Sequence, residues 1–283
     1  MIKRSIIEEK FFKLLMYASI ALVVFFVASV VLSVFKRGIP LLSWEMVSSL
    51  PGGGFYMGGG GGFLNAIIGS FYIVGGATVM GLIISIPVVF FLNVYLKPSS
   101  RFGSIARLAY DVLFGIPSIV YGAFGFTIMI YFGLRASLLG GTIVVTLLII
   151  PIFIRSMDEV AKTIPSELLE ASYSLGATRW ETISIVVRQI APAIATATLL
   201  SIGRAIGDAA GVMFTAGFSD RIPTSLTQQT ATLPLSVFFQ LQSPSLEVQD
   251  RAYAAAVVLT LIVLILSISG RIIMNRFSRN KIQ

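Results

Sequence analysis

The chain has 283 residues, of which 56% are hydrophobic and only 12% charged, with a formal net charge of +8 and neither cysteine nor histidine. A soluble domain carries about 25% charged residues, so this chain lacks the charge to cover a water-exposed surface and reads as a polytopic membrane protein. Without Cys or His there are no thiol nucleophiles, disulfides, zinc fingers or imidazole bases, which leaves an intramembrane enzyme without its usual groups.

The first apolar run extends from about Leu14 to Phe35. The basic start resembles a signal peptide, but the run exceeds the roughly 7–15 residues of an h-region and fits the ~20 residues that span a bilayer. It is read as a retained spanning helix. The stretch PGGGFYMGGGGGF, residues 51–63, invites a phosphate-loop reading. No Gly-Lys pair occurs in the chain and no strand precedes this stretch, so a P-loop is excluded and a flexible extracytoplasmic loop is expected.

Five further apolar segments follow, near 64–96, 105–133, 137–154, 190–218 and 253–273. The 105–133 segment contains GIPSIVYG, with Gly115, Pro117 and Gly122. Pro and Gly can break a spanning helix, which is tolerated only beside protein or water. A kinked helix lining a path is expected, with Ser118 and Tyr121 as polar contacts; a packing kink is the alternative. Asp111 is expected to be a solvated or paired residue at the membrane boundary.

The segment 155–189 is polar and patterned. Pro165 suits a helix's first turn, Glu167 and Glu170 lie near its positive end, and Gly176 is a natural stop. Leu168, Ala171, Ser172 and Leu175 fall at i, i+3, i+4 and i+7, so a short helix over about 165–175 is expected. It lacks the Lys/Arg-rich face of interfacial helices. The spacing fits either docking in a partner's groove or packing on its own chain.

The fifth span carries SIGRAIGDAAGVMF, residues 201–214. Charges within a bilayer are costly and mark functional positions by default. Arg204 and Asp208, four apart, are expected on one helix face, with Gly203, Gly207 and Gly211 forming a seam for close helix approach. Either the two charges pair to fix packing, or Arg204 offers its planar donor fork to a passing oxyanion while Asp208 tunes that attraction. The loop 219–252 is expected to be a re-entrant or surface helix, or a simple capping loop.

Orientation follows from the cations. Lys3, Arg4, Lys10, Lys13, Lys97, Arg101, Arg107, Arg155, Lys162, Arg179, Arg188, Arg271, Arg276, Arg279 and Lys281 flank one side, 15 in all, against five (Lys36, Arg37, Arg135, Arg221, Arg251) on the other. The positive-inside bias places both termini and the 155–189 loop in the cytoplasm. Three regions are expected: residues 1–63 with the first span and the Gly-rich loop, a transmembrane domain over 64–273, and a cytoplasmic tail over 274–283.

Glu170-Ala171-Ser172, followed by Gly176-Ala177, resembles the EAA loop of ABC importer permeases, with Ser172 in place of Ala and Arg188-Gln189 where that family usually has Leu-Pro. Together with GIPSIVYG and GRAIG (203–207), it makes residues 64–272 similar to the phosphate-specific ABC permeases of the PstA type. That family usually shows Gly-Glu-Thr-Ala where this chain has Gly207-Asp208-Ala209-Ala210. The resemblance implies an all-α integral membrane protein with six transmembrane helices and the type I (MetI-like) importer fold. It also implies a coupling helix formed by Glu167, Leu168, Glu170, Ala171, Ser172, Leu175 and Gly176. The implied partners are a homologous second permease, two cytoplasmic ATPase subunits that bind ATP and Mg, and an extracytoplasmic phosphate-binding protein. The rival functions are import of sulfate or molybdate, and ion-coupled secondary transport; the latter calls for inverted repeats, and none is visible.

Overall fold

Long apolar runs shield their backbone amides from lipid by closing every hydrogen bond within one segment, and helices account for nearly all of this structure. It is a computed structural model describing residues 2–52, 60–97 and 99–278. In chain order the helices are α1 (Ile2–Gly38), α2 (Trp44–Ser48), α3 (Leu64–Phe90), α4 (Arg101–Gly115), α5 (Ser118–Tyr131), α6 (Leu138–Ala161), α7 (Ser166–Ser174), α8 (Arg179–Ile206), α9 (Leu233–Leu241) and α10 (Leu246–Ser278). Among the described residues, five helices are long and apolar enough to cross a membrane, or six if the bent pair α4–α5 counts as one span. The Gly-rich loop is tied at its ends by a bridge between Pro51 and Gly61, while its centre, 53–59, lies outside the described residues, as does the end of the tail, 279–283.

The core is the α3–α6–α8 bundle. Small residues set its spacing: a Cβ on Gly81 would sit 2.9 Å from the Phe153 ring, and one on Gly141 would sit 2.9 Å from Ala216. Phe153, Ile149, Ile73 and Ile190 are fully buried in it. Thr142 and Thr146 donate their hydroxyls to the carbonyls one turn back, Leu138 and Thr142, so these two hydroxyl protons are not stranded in the apolar core. By contrast α1 has none of its central apolar window buried. Its last turn abuts α10, where Arg37 donates to the Tyr253 hydroxyl at 3.1 Å and lies over that ring at 4.9 Å.

Three segments differ from expectation. The 105–133 segment is not one kinked helix but two, meeting at 101°. The break falls at Ile116-Pro117, where Pro holds Ile116 extended (ψ 131°), as a residue before proline prefers. The 155–189 segment is mostly helical, because α6 runs on to Ala161 and α8 starts at Arg179, well before residue 190. A capping box starts α8: Glu181 N donates to the Thr178 hydroxyl while the Glu181 carboxylate accepts from Thr178 N, satisfying two exposed amides at once. The 219–252 loop contains α9, whose Leu233, Leu235 and Gln240 are buried; Leu233 N donates to Ser70 Oγ on α3 at 2.9 Å. This helix is a packed plug rather than a surface cap.

Phe153→Ala empties the space beside Gly81 in the α3–α6 core and is expected to cost about 3 kcal/mol. A fall of several degrees in the thermal midpoint of the purified protein in detergent would show it.

Candidate functional site

The α7 helix lies within a residue of its expected limits. Leu175 N donates to Ala171 O, Gly176 N to Tyr173 O and Ala177 N to Ser172 O. Gly176 takes φ +82°, the left-handed stop that a Cβ would strain. The expected stripe divides. Ser172 is buried and its hydroxyl is 3.2 Å from that of Thr182 on α8, while Leu169, not part of the stripe, packs on the core. Leu168, Ala171 and Leu175 are exposed, together with Glu167 and Glu170; Leu175 is 89% exposed. One face of α7 therefore fastens it to its own chain and the other presents apolar side chains outward. Tyr173 is exposed on the same helix, while Trp180, 74% exposed, stands at the start of α8 near Phe91 and Tyr95.

Around Arg204 the structure departs from a continuous helix. α8 ends at Ile206, and residues 210–216 form turns. Asp208 is therefore not one turn along the same face as Arg204, and no ion pair joins them among the described residues. Asp208 Oδ2 instead accepts from Gly211 N at 2.8 Å. A short carboxylate that captures a nearby amide competes with the helical ladder, and Gly207 lowers the barrier to leaving it. Gly211 thus drops out of the expected seam. Arg204 lies in the last helical turn, exposed, beside Gly203 and Gly207, around which a Cβ would meet nothing closer than 3.9 Å. The result is a cation on an open, small-residue face.

The turns after Asp208 pack on the start of α5. A Cβ on Gly122 would fall 2.8 Å from both the Ala210 and Gly211 carbonyl oxygens. Ser118 lies at this junction, half-buried, its carbonyl near Gly211. Tyr121 does not serve as an open polar contact: it is buried, and its hydroxyl donates to Leu113 O at 2.8 Å. That bond reaches across the 101° break and braces it. The structure thus brings the Ser118 carbonyl and the Asp208 carboxylate to the same glycine, Gly211, gives Tyr121 a structural task, and leaves Arg204 exposed.

One cluster escaped the sequence. Asp158, with its side chain fully buried, receives Arg107 Nε at 3.0 Å and Lys162 Nζ at 2.6 Å. Arg107 Nη2 adds a bond at 3.1 Å, Tyr110 OH one at 2.6 Å and Asn93 Nδ2 one at 2.8 Å. Asn93 is delivered by a π-helical turn, Phe91–Tyr95, that follows α3 just after Pro87. Of these contacts only Asp158–Lys162 is local, four residues apart. Asp111, as expected of a boundary residue, pairs with Arg155 at 3.6 Å.

The site thus combines a bent helix pair packed on a broken helix end with a short helix, α7, that presents apolar side chains outward. Residues 85–283 match the family described as the inner membrane component of binding-protein-dependent transport systems, and the chain belongs to that family. It is 32% identical to the phosphate transport system permease protein PstA of Haemophilus influenzae, over 91% of this chain and 90% of that protein. It is 37% identical to the protein of the same name from Yersinia pestis, over 76% of this chain and 72% of that one. Among solved structures, an inward-facing form of the MetNI methionine ABC transporter superposes with a TM-score of 0.60 at 16% identity, covering 76% of this chain and 95% of that one. A bacterial ABC transporter that imports alginate gives 0.58 at 14% identity, covering 93% of this chain and 95% of that one. The fold is the MetI-like permease fold.

Gly122→Val drives two methyl groups toward two carbonyl oxygens and is expected to destabilise by about 2–3 kcal/mol. Tyr121→Phe should cost only about 1 kcal/mol, because the Leu113 carbonyl keeps its bond from Ile116 N and only the second bond is lost. Thermal midpoints of the two variants should fall in that order.

Proposed function

We propose that this chain is one permease subunit of an ATP-driven importer of inorganic phosphate. It forms half of the translocation path beside a homologous second permease, with both termini and α7 in the cytoplasm. Two ATPase subunits supply the energy, holding ATP and Mg themselves, and an extracytoplasmic phosphate-binding protein delivers the ion. The chain performs no covalent chemistry. Its three regions, 1–63, 64–273 and 274–283, correspond to a leading span and loop, the transport domain and a tail.

The observation that carries the reading is Arg204, a guanidinium without an ion-pair partner among the described residues, at the end of a spanning helix, on a face left open by Gly203 and Gly207. An uncompensated charge at such a site is costly unless it meets an aqueous path or a partner. A planar donor fork suits a phosphate. Asp208, with one oxygen held by Gly211 N, keeps its other oxygen for a proton of hydrogen phosphate, which sulfate lacks; Ser118 adds a hydroxyl. Names carried by relatives of 32% and 37% identity support phosphate as cargo.

The outward residues of α7 support coupling. Leu168, Ala171 and Leu175 form an apolar ridge of the kind that seats in a groove, with Glu167 and Glu170 beside it. In the cycle we infer, closure of the ATPases draws the two α7 helices together and opens the path outward, and hydrolysis resets it.

Arg204→Gln should lower phosphate uptake roughly 10–100-fold, the equivalent of one charge-assisted contact, while the complex still assembles. Loss of assembly would reassign Arg204 to packing, and equal competition by sulfate or molybdate would replace the cargo. Changing Leu168 and Ala171 together to Asp should abolish co-purification of the ATPase; retention would remove α7 from the interface.

A further inference from the structure

Helix α4 is attached to the rest of the protein in an unusual way. Of its residues only Gly103 and Tyr110 are buried, so it has little apolar face to hold it. What holds it is polar. Arg107 grips Asp158 through two nitrogens at 3.0 and 3.1 Å, and Tyr110 adds a hydroxyl at 2.6 Å. The same carboxylate accepts Asn93 from the turn after α3 and Lys162 from the end of α6. Lys162 lies four residues before α7 begins at Ser166. One buried carboxylate thus joins the helix behind the bend to the segment that leads into α7.

The consequence is mechanical. A helix on a greasy face can slide in small steps, because dispersion contacts have little direction. A helix held by a bidentate guanidinium and a phenol on one carboxylate has fixed geometry, and breaking it would leave a buried charge alone. Asp158 lies on α6 and Lys162 caps it, so α4 is locked to the end of α6, and a displacement passed back from α7 through the short link 163–165 reaches α4. Beyond the break, α5 carries Gly122 against the turns that follow Asp208, so the motion ends beside the path.

We propose that the Asp158–Arg107–Tyr110–Lys162–Asn93 cluster is the joint that makes α4 follow α7, with Asp158 as a positioning residue for transport rather than a contact of the transported ion. The inference rests on the reading of α7 as the ATPase-docking element. It differs from that reading in asking how the movement crosses the chain.

The test uses the whole complex in proteoliposomes, with ATP hydrolysis and phosphate uptake measured together. Asp158→Asn should keep basal hydrolysis near the wild-type rate but lower uptake per ATP about tenfold, within the usual range of coupling between sites. Tyr110→Phe removes a single bond and should lower it about threefold; it decides the matter if Asp158→Asn does not assemble. The chain has no cysteine, so spin labels at Leu108→Cys and Ser174→Cys report the α4–α7 distance without further changes. In the wild-type background that distance should stay constant when nucleotide binds, and in Tyr110→Phe or Asp158→Asn it should shift or broaden. Wild-type uptake per ATP in both variants, or a distance that already changes in the wild-type background, would overturn the joint. A wild-type complex that hydrolyses ATP without importing phosphate would instead overturn the assignment of cargo.

Discussion

Inside a bilayer no water stands by to satisfy a polar group that loses its partner, and each place where this chain breaks a helix is built around that scarcity. At the α4–α5 break, Leu113 O accepts from both Ile116 N and the Tyr121 hydroxyl. Where α8 stops, Asp208 takes up the Gly211 amide. Where α3 loosens into a π-helical turn after Pro87, Asn93 donates to Val89 O and to Asp158. These are sites where a regular helix would have cost less locally. The irregular backbone is kept because it turns the chain, and the turns bring α5, the end of α8 and the α9 plug to one place.

The chain divides its labour by polarity. The α3–α6–α8 core is closed by glycine-mediated contact and buried aliphatic side chains, a rigid arrangement with few polar decisions. The end formed by α4 and the close of α6 is organised the other way, held by ions and hydroxyls around one carboxylate. Packing of the first kind fixes shape; bonding of the second kind fixes direction.

Periodic features were legible in the sequence. Six apolar segments and the short 166–174 helix with its Gly176 stop follow from hydropathy and local residue types, whereas the packing of α9 within 219–252 did not. The continuity of 105–133 and of the fifth span was misread because hydropathy does not register a change of direction: Ile116-Pro117 and Gly207-Asp208 are two-residue events inside unbroken apolar text. The division of the α7 stripe depended on which neighbour each residue meets, which spacing does not encode. Asp158 was invisible for the same reason. Its partners at 93, 107 and 110 are more than forty positions away, and nothing in SMDEV distinguishes a buried carboxylate from a solvated one.

The near-total exposure of α1 has a bearing on biogenesis. Its central window has a mean hydropathy of 2.7 and no buried share, and none of its described residues belongs to the main apolar core. Such a segment partitions into lipid on its own merits, without waiting for companions, as the first stage of two-stage insertion supposes. The later spans are different: α8 has a mean hydropathy of 1.6 and carries Arg204, so its place in the bilayer depends on the neighbours it packs against in a way that α1's does not.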